Sequence, residues 1–319
     1  MASLRTLVSA TALSLATLAQ CRPLTEAAAA AADCNCYKAS SDSTAHFVNR
    51  KFFDFRNIAN PSTPAPIVGS GADGAAGATH PYFSTAEWTN TWRTQSWSTP
   101  GEGVPRQNSL NNVFIAPAAA QDGDEQGSSH LTLRTLRQSD YQSTAEVESA
   151  TADYQFLTMR MLARSRGASG AVTALFTYTA NPNVQEADIE FRTQTALDQV
   201  QYTNQPGTVN GEEQPEATRV VTLPSGPWTE WQEHRYDWTP GSSDWYVDGK
   251  KVASIQFQTP TAPLSVIMNV WSDGGVWSGV MGAGGEAEMQ VQWLDLTYNS
   301  TSQQAPGACS NVCVIDSLI

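Results

Sequence analysis

An all-β fold, two antiparallel sheets packed face to face, follows from three observations in this 319-residue chain. From about residue 113, short runs rich in β-branched and aromatic residues recur between turn signals. Val247-Asp248-Gly249-Lys250 places Asp-Gly between two such runs, a strong short-range mark of a hairpin. Helical periodicity over any long window is missing, and so many short antiparallel strands close into a sandwich. No internal repeat interrupts the pattern.

Taken in order, Met1 to Ala19 reads as a secretory leader, with Arg5 ahead of an apolar stretch too short and too Ser/Thr-laden to span a bilayer. Cleavage is placed after Ala19, and the alanine run permits a site as late as residue 32. Residues 33–319 are expected to form one domain. Phe52-Phe53-Asp54-Phe55-Arg56 is an aromatic cluster, and the Pro/Gly/Ala/Ser-rich stretch from Asn60 to Pro81 reads as a long surface loop. Trp88, Trp92 and Trp97 fall in a second loop-like stretch. Strands are then predicted over 130–136, 154–162, 171–179, 185–193, 219–223, 231–238, 244–247, 252–257, 264–271 and 287–298.

Five cysteines bear on the compartment. Cys21 lies at the edge of the leader. Cys34 and Cys36 are too close to bridge comfortably to each other, so one or two bridges to Cys309 and Cys313 would tie the termini together outside the cell. Free thiols are the alternative; zinc is disfavoured because no histidine lies near. The chain ends without the hydrophobic tail of a lipid-anchor signal. A formal charge of −13 with only four lysines argues against nucleic acid and anionic membrane, and fits a neutral polymer as partner.

The chemistry is concentrated in Gln185-Glu186-Ala187-Asp188-Ile189-Glu190-Phe191-Arg192. On a strand, residues two apart share a face, so Glu186, Asp188 and Glu190 would line one surface while Ala187, Ile189 and Phe191 enter a core. Two glutamates four residues apart can converge over the aspartate. Carboxyl groups about 5–5.5 Å apart suit a retaining glycosidase, one ionised as nucleophile and one protonated as acid. Three crowded carboxylates cannot all ionise easily, so at least one pKa should rise. The bland alternative is an exposed edge strand carrying solubilising charge.

Three motifs in order resemble glycoside hydrolase family 16. They are Glu186-Ala187-Asp188-Ile189-Glu190, the hairpin Trp231 to Pro240 with Asp244-Trp245-Tyr246-Val247-Asp248-Gly249, and Asn269-Val270-Trp271 through Gly274-Gly275 to Trp277-Ser278-Gly279. The likeness covers roughly residues 130–300. It implies a β-jelly roll of the concanavalin A-like kind, with Glu186 as nucleophile, Glu190 as acid/base and Asp188 tuning the pair. The acid strand lacks the extra residue of the E-x-D-x-x-E form, which weakens a pure β-1,3-glucanase assignment.

Trp271 and Trp277, flanking a glycine turn, are candidates to stack on pyranose rings, or are core tryptophans. Tyr202 and Gln205 are candidates to hydrogen-bond sugar hydroxyls, or are plain hairpin partners. Arg192 either holds Glu190 or touches substrate. His234 reads as a satisfied core histidine, and Asp122/Asp124 and Glu212/Glu213 as solvated loop charge. Asn299-Ser300-Thr301 is a glycosylation sequon, used or unused. No cofactor is implied, and no spacing specifies a structural calcium. The expectation is a secreted, monomeric hydrolase of internal β-glucan linkages. A wall transglycosylase using the same pair and a lectin-like binder on the same fold are the rivals.

Overall fold

The computed structural model describes residues 34–100, 103–119, 128–303 and 309–318; the leader-like stretch, Cys21 and Asp122/Asp124 lie outside these. Fourteen main strands build the sandwich. They are β1 (Asn49–Asp54), β2 (Val113–Pro117), β3 (Ser129–Arg137), β4 (Gln142–Ser149), β5 (Tyr154–Gly167), β6 (Val172–Thr179) and β7 (Gln185–Arg192). After these come β8 (Gln199–Gln205), β9 (Thr218–Thr222), β10 (Gln232–Thr239), β11 (Ser242–Val247), β12 (Lys250–Ile255), β13 (Ser265–Trp271) and β14 (Glu286–Ser300).

One sheet, the cleft sheet, runs β4-β13-β6-β7-β8-β9, with the short strand Trp92–Thr94 beside β4. The outer sheet runs β14-β5-β10-β11-β12, and β1 and β3 share the other edge of β14. Every one of these pairings is antiparallel, as the alternating runs require. The hairpin of β11 and β12 turns at Asp248 and Gly249, both at positive φ (47° and 74°), the geometry that Asp-Gly favours.

Alternation decides which face enters the core. Ala187, Ile189 and Phe191 of β7 are buried against the outer sheet, from which Tyr236, Trp238, Trp245 and Val247 point inward. Burying side chains of this size contributes about 1.5–3 kcal/mol each, so the core can hold a cleft face given over to polar groups. Trp88 and Trp92 belong to this core. Trp88 sits on a one-turn helix, Ala86–Thr89, capped by Thr85 Oγ1 accepting from its backbone N–H. The stretch 60–81 is a loop interrupted by the helix Ser70–Gly74, too short to leave periodicity in the sequence. Buried Asp73 on that helix accepts a hydrogen bond from the Tyr141 hydroxyl at 3.0 Å.

The two ends of the described chain meet on the outer sheet. Cys34 is bonded to Cys313 and Cys36 to Cys309, and Cys36–Lys38 pairs in parallel with Val312–Val314. Asp316 in this strap reaches Arg160 at 3.1 Å and Arg235 at 3.5 Å, while Ile315 is buried. The Asn299 side chain of the sequon is bound at both ends, accepting from Val48 N and donating to His46 O. No described helix is long and apolar enough to cross a membrane.

Candidate active site

The register of the cleft sheet assembles the site. In an antiparallel ladder, opposed residues share a face. Gln201, Glu190, Ala174, Asn269 and Glu146 therefore form one row across β8, β7, β6, β13 and β4. Gln205, Glu186, Tyr178 and Ser265 form another row, and Asp188 lies between the two, opposite Thr203 and Phe176. The small Ala174 leaves space between Glu190 and Asn269. Two cavities occupy this face, of about 440 Å³ and about 560 Å³. Both are lined by Glu186, Glu190 and Trp271, so they form one groove whose two lobes meet at the glutamates. The first lobe adds Trp97, Arg106, Glu146, Phe176, Tyr178 and Asn269; the second adds Arg192, Gln201, Gln205, Glu213 and Trp277.

The three acids are held in unlike ways. Asp188 is 2% exposed and accepts a 3.0 Å hydrogen bond from Gln205 Nε2 at Oδ2. Burial, then the charges of Glu186 and Glu190, push its carboxyl well above the usual aspartate range, so it keeps a proton to share with Glu186. Glu186 is raised by burial and lowered by that hydrogen bond from Asp188. Glu190 is 9% exposed, and its Oε1 accepts from Trp277 Nε1 at 3.1 Å. Burial pushes it up to about 7, and the Glu186 charge adds to this, while the Trp277 hydrogen bond and Arg192 pull it down.

The other candidates divide. Gln205 is on the cleft face and orients Asp188; Trp271 lines both lobes, with the Arg106 guanidinium 5.3 Å from its ring centroid. Trp277 also lines the groove, but Arg192 lies 4.1 Å over its ring and Glu190 holds its N–H, so it is the acid's partner before it is an open platform. Tyr202 corrects the expectation. It is opposite Ile189, 1% exposed, and stacks on Trp245 at 5.3 Å, which in turn stacks on Tyr236 at 5.2 Å. Residues 201, 203 and 205 own the cleft face of β8, so 202 must point into the core. Tyr202→Phe is expected to leave KM for any glucan unchanged and to move stability by less than about 1 kcal/mol, as kinetics and thermal unfolding would show.

His234 is in the core, edge-on to Phe191 at 4.8 Å, yet neither ring nitrogen has a hydrogen-bond partner among the described residues. Burial pushes it down to about 4, so it is neutral rather than satisfied. Glu212 and Glu213 are exposed on a small hairpin arm, with Glu213 at the rim of the second lobe.

Glu146 was not anticipated. It is 9% exposed, accepts from Asn269 Nδ2 at 3.3 Å, and is pushed up to about 8 mainly by burial. Ala145-Glu146-Val147-Glu148 carries the same acid-apolar alternation as β7, a signal that could have placed it on the cleft face.

Comparison with known proteins agrees with this architecture. The chain is 29% identical over 136 residues to a beta-glucanase of Paenibacillus polymyxa, covering 41% of this chain and 55% of that protein. It is 31% identical over 136 residues to a beta-glucanase of Bacillus subtilis (strain 168), covering 40% and 53%. The chain thus spans about half the length of the curated relatives it matches. The solved Bacillus licheniformis beta-glucanase superposes with a TM-score of 0.54 at 22% identity, covering 66% of this chain and 94% of that one. A structure described as a pseudo beta-1,3-glucanase of Mycobacterium tuberculosis has a TM-score of 0.51 at 17% identity, covering 79% and 99%. These likenesses establish the jelly-roll fold. The profile of Glycosyl hydrolases family 16 matches residues 112–295, more than half of the chain and all of β3 to β13, and the chain belongs to that family.

Proposed function

We propose that this chain is a secreted, monomeric endo-acting glycosidase that cleaves internal β-1,3/β-1,4 linkages of glucans with retention of configuration. The observation that carries the reading is the placement of Glu186 and Glu190 where the two lobes of an open groove meet. A polymer lying in such a groove offers sugar on both sides of the scissile bond. The disulfide-tied termini fit an oxidising compartment.

The proton inventory supports a division of labour. Asp188 donates toward Glu186, which opposes the upward push of burial and favours the carboxylate form that attacks the anomeric carbon. Glu190, pushed up to about 7, is protonated at mildly acidic pH and gives its proton to the glycosidic oxygen as the C–O bond breaks. A glycosyl ester on Glu186 results. Esterification removes the Glu186 charge that had raised Glu190, so the same carboxyl becomes a weaker base-holder of its proton but is left ionised to take one from incoming water. Water then attacks, and Glu186 departs. All of this chemistry is supplied by carboxyl groups.

Activity on unactivated glucan is expected to fall about tenfold per pH unit above roughly 7, as Glu190 loses its acid form, and a kcat/KM profile measures it. Mixed-linkage β-glucan, laminarin, xyloglucan and chitin oligomers incubated with the protein, with and without a labelled acceptor sugar, test the function itself. Shorter oligomers whose sizes report the linkage support hydrolysis. Labelled products longer than the acceptor move the assignment to a transglycosylase, and binding without any product moves it to a lectin-like protein.

A further inference from the structure

The loop after β13 is fastened to β7 by more than its chain connections. Arg192 Nε donates to Trp277 O at 3.0 Å, and Gln194 Nε2 donates to the same oxygen at 2.7 Å and to Val276 O at 3.0 Å. The Arg192 guanidinium covers the indole at 4.1 Å. Gly279 completes the seat, because a Cβ there would stand 2.6 Å from the Gln194 amide. All of this fixes one atom, Trp277 Nε1, 3.1 Å from Glu190 Oε1. Glu190 Oε2 is buried and has no hydrogen-bond partner among the described residues.

We propose that Trp277, held by Arg192 and Gln194, is a positioning residue that fixes the Glu190 carboxyl through Oε1 and eases release of its proton. An indole N–H donates and never accepts. In the acid form that N–H rests on a neutral carboxyl. Once the proton has left, the N–H remains on a carboxylate, and a hydrogen bond to a charged group is about twice as strong as one between neutral groups. The interaction therefore strengthens as the acid step proceeds, which favours proton release. Without it, burial and the neighbouring acids would hold the proton too tightly.

Other charges face the same carboxyl. Glu186 and Asp188 lie on its own strand, as does Arg192; Glu146 and Arg106 line the first lobe, and Glu213 the second. The β6 and β8 neighbours, Ala174 and Gln201, are uncharged. Removing the indole N–H alone thus isolates one contribution against a constant background.

This inference rests on the proposed acid role of Glu190, but it is read first without substrate. Carbon-13 labelled glutamate carboxyls are titrated by NMR in the wild type, Trp277→Phe and Arg192→Met, with Glu190 assigned by its Gln variant. Trp277→Phe is expected to move the Glu190 midpoint up by about one pH unit, and Arg192→Met to move it up by less. On glucan, Trp277→Phe should lose roughly tenfold in kcat, with the alkaline limb displaced upward, and should lose little on a dinitrophenyl glycoside whose leaving group needs no proton. An unmoved midpoint, or equal losses on both substrates, overturns the proposal. If the phenylalanine variant does not fold, Gln194→Met, which removes a tether of Trp277 but no charge, is titrated in its place: a rise in the Glu190 midpoint supports the device and no change rejects it. If the wild type cleaves no glucan, the functional reading fails while the titration still judges Trp277.

Discussion

Glu186→Gln is expected to lower glucan hydrolysis by roughly 10⁴-fold or more while leaving the fold and glucan binding intact. The amide keeps the shape of the carboxyl and can still meet Asp188, but it cannot form the glycosyl ester. Glu190→Ala should cost about 10²–10⁴-fold on glucan, the range for a positioned general acid. The alanine variants separate the roles by stereochemistry when azide is supplied. With Glu190→Ala the ester on Glu186 still forms, and azide opens it with a second inversion, giving the β-glycosyl azide. With Glu186→Ala azide enters the vacated space and attacks once, giving the α-anomer. Chromatography and NMR of the azide products read this directly. The opposite pairing of variant and anomer would exchange the two assignments, and no rescue in either would remove both.

The strength of the expected Glu186 effect follows from how little else in the site can substitute. Asp188 is 2% exposed, bound to Gln205, and pushed well above the usual aspartate range by burial and then by the charges on either side. It is in no position to attack an anomeric carbon. Glu146 is a second buried carboxyl pushed upward, but it stands three strands away on β4, across Ala174 and Asn269 from Glu190.

The acid strand was legible from sequence because a period of two puts the three carboxylates on one face, and the structure places that face in the groove rather than on an exposed edge. Ala187, Ile189 and Phe191 are in the core, and Glu186 and Glu190 line the groove, as alternation required. The bridging of the two ends was legible too, since Cys34 and Cys36 are too close to bridge to each other, but the number of bridges and their pairing were not. Tyr202 failed for a reason of phase. Its position on β8 was recognised but its face was not, because register depends on the turn from β7, and one residue flips every side chain. Glu146, Arg106 and Trp97 were invisible because they come from the other edge of the groove, brought there by pairing of β4 with β13 and of Arg106–Asn108 with β4. Local patterns do not encode which distant strand becomes a neighbour. The same limit applies to Trp277, read from sequence as either a cleft or a core tryptophan and not as the partner of Glu190.

The second large effect concerns the strap. Cys34–Cys313 and Cys36–Cys309 close loops separated by 279 and 273 residues. Chain-entropy arithmetic gives about 5–6 kcal/mol for closing one loop of that length. Once either bridge exists, the other closes only the short ring between them, two residues on one side and four on the other, and contributes far less. The non-covalent part of the strap cannot replace them: Asp316 is half-exposed, and ion pairs of that kind are worth about 0–1 kcal/mol. Cys34→Ser with Cys313→Ser should therefore lose only about 1–2 kcal/mol, as should the inner pair removed alone. Removing all four cysteines should cost about 6–8 kcal/mol, more than the sum of the two single removals, and lower Tm by roughly 10–13 °C. Activity per folded molecule at 25 °C should persist, since the strap lies on the outer sheet and the groove on the other. Calorimetry of the three variants decides it: additive losses would mean that the two bridges act locally, each on its own segment, rather than as alternative closures of one long loop.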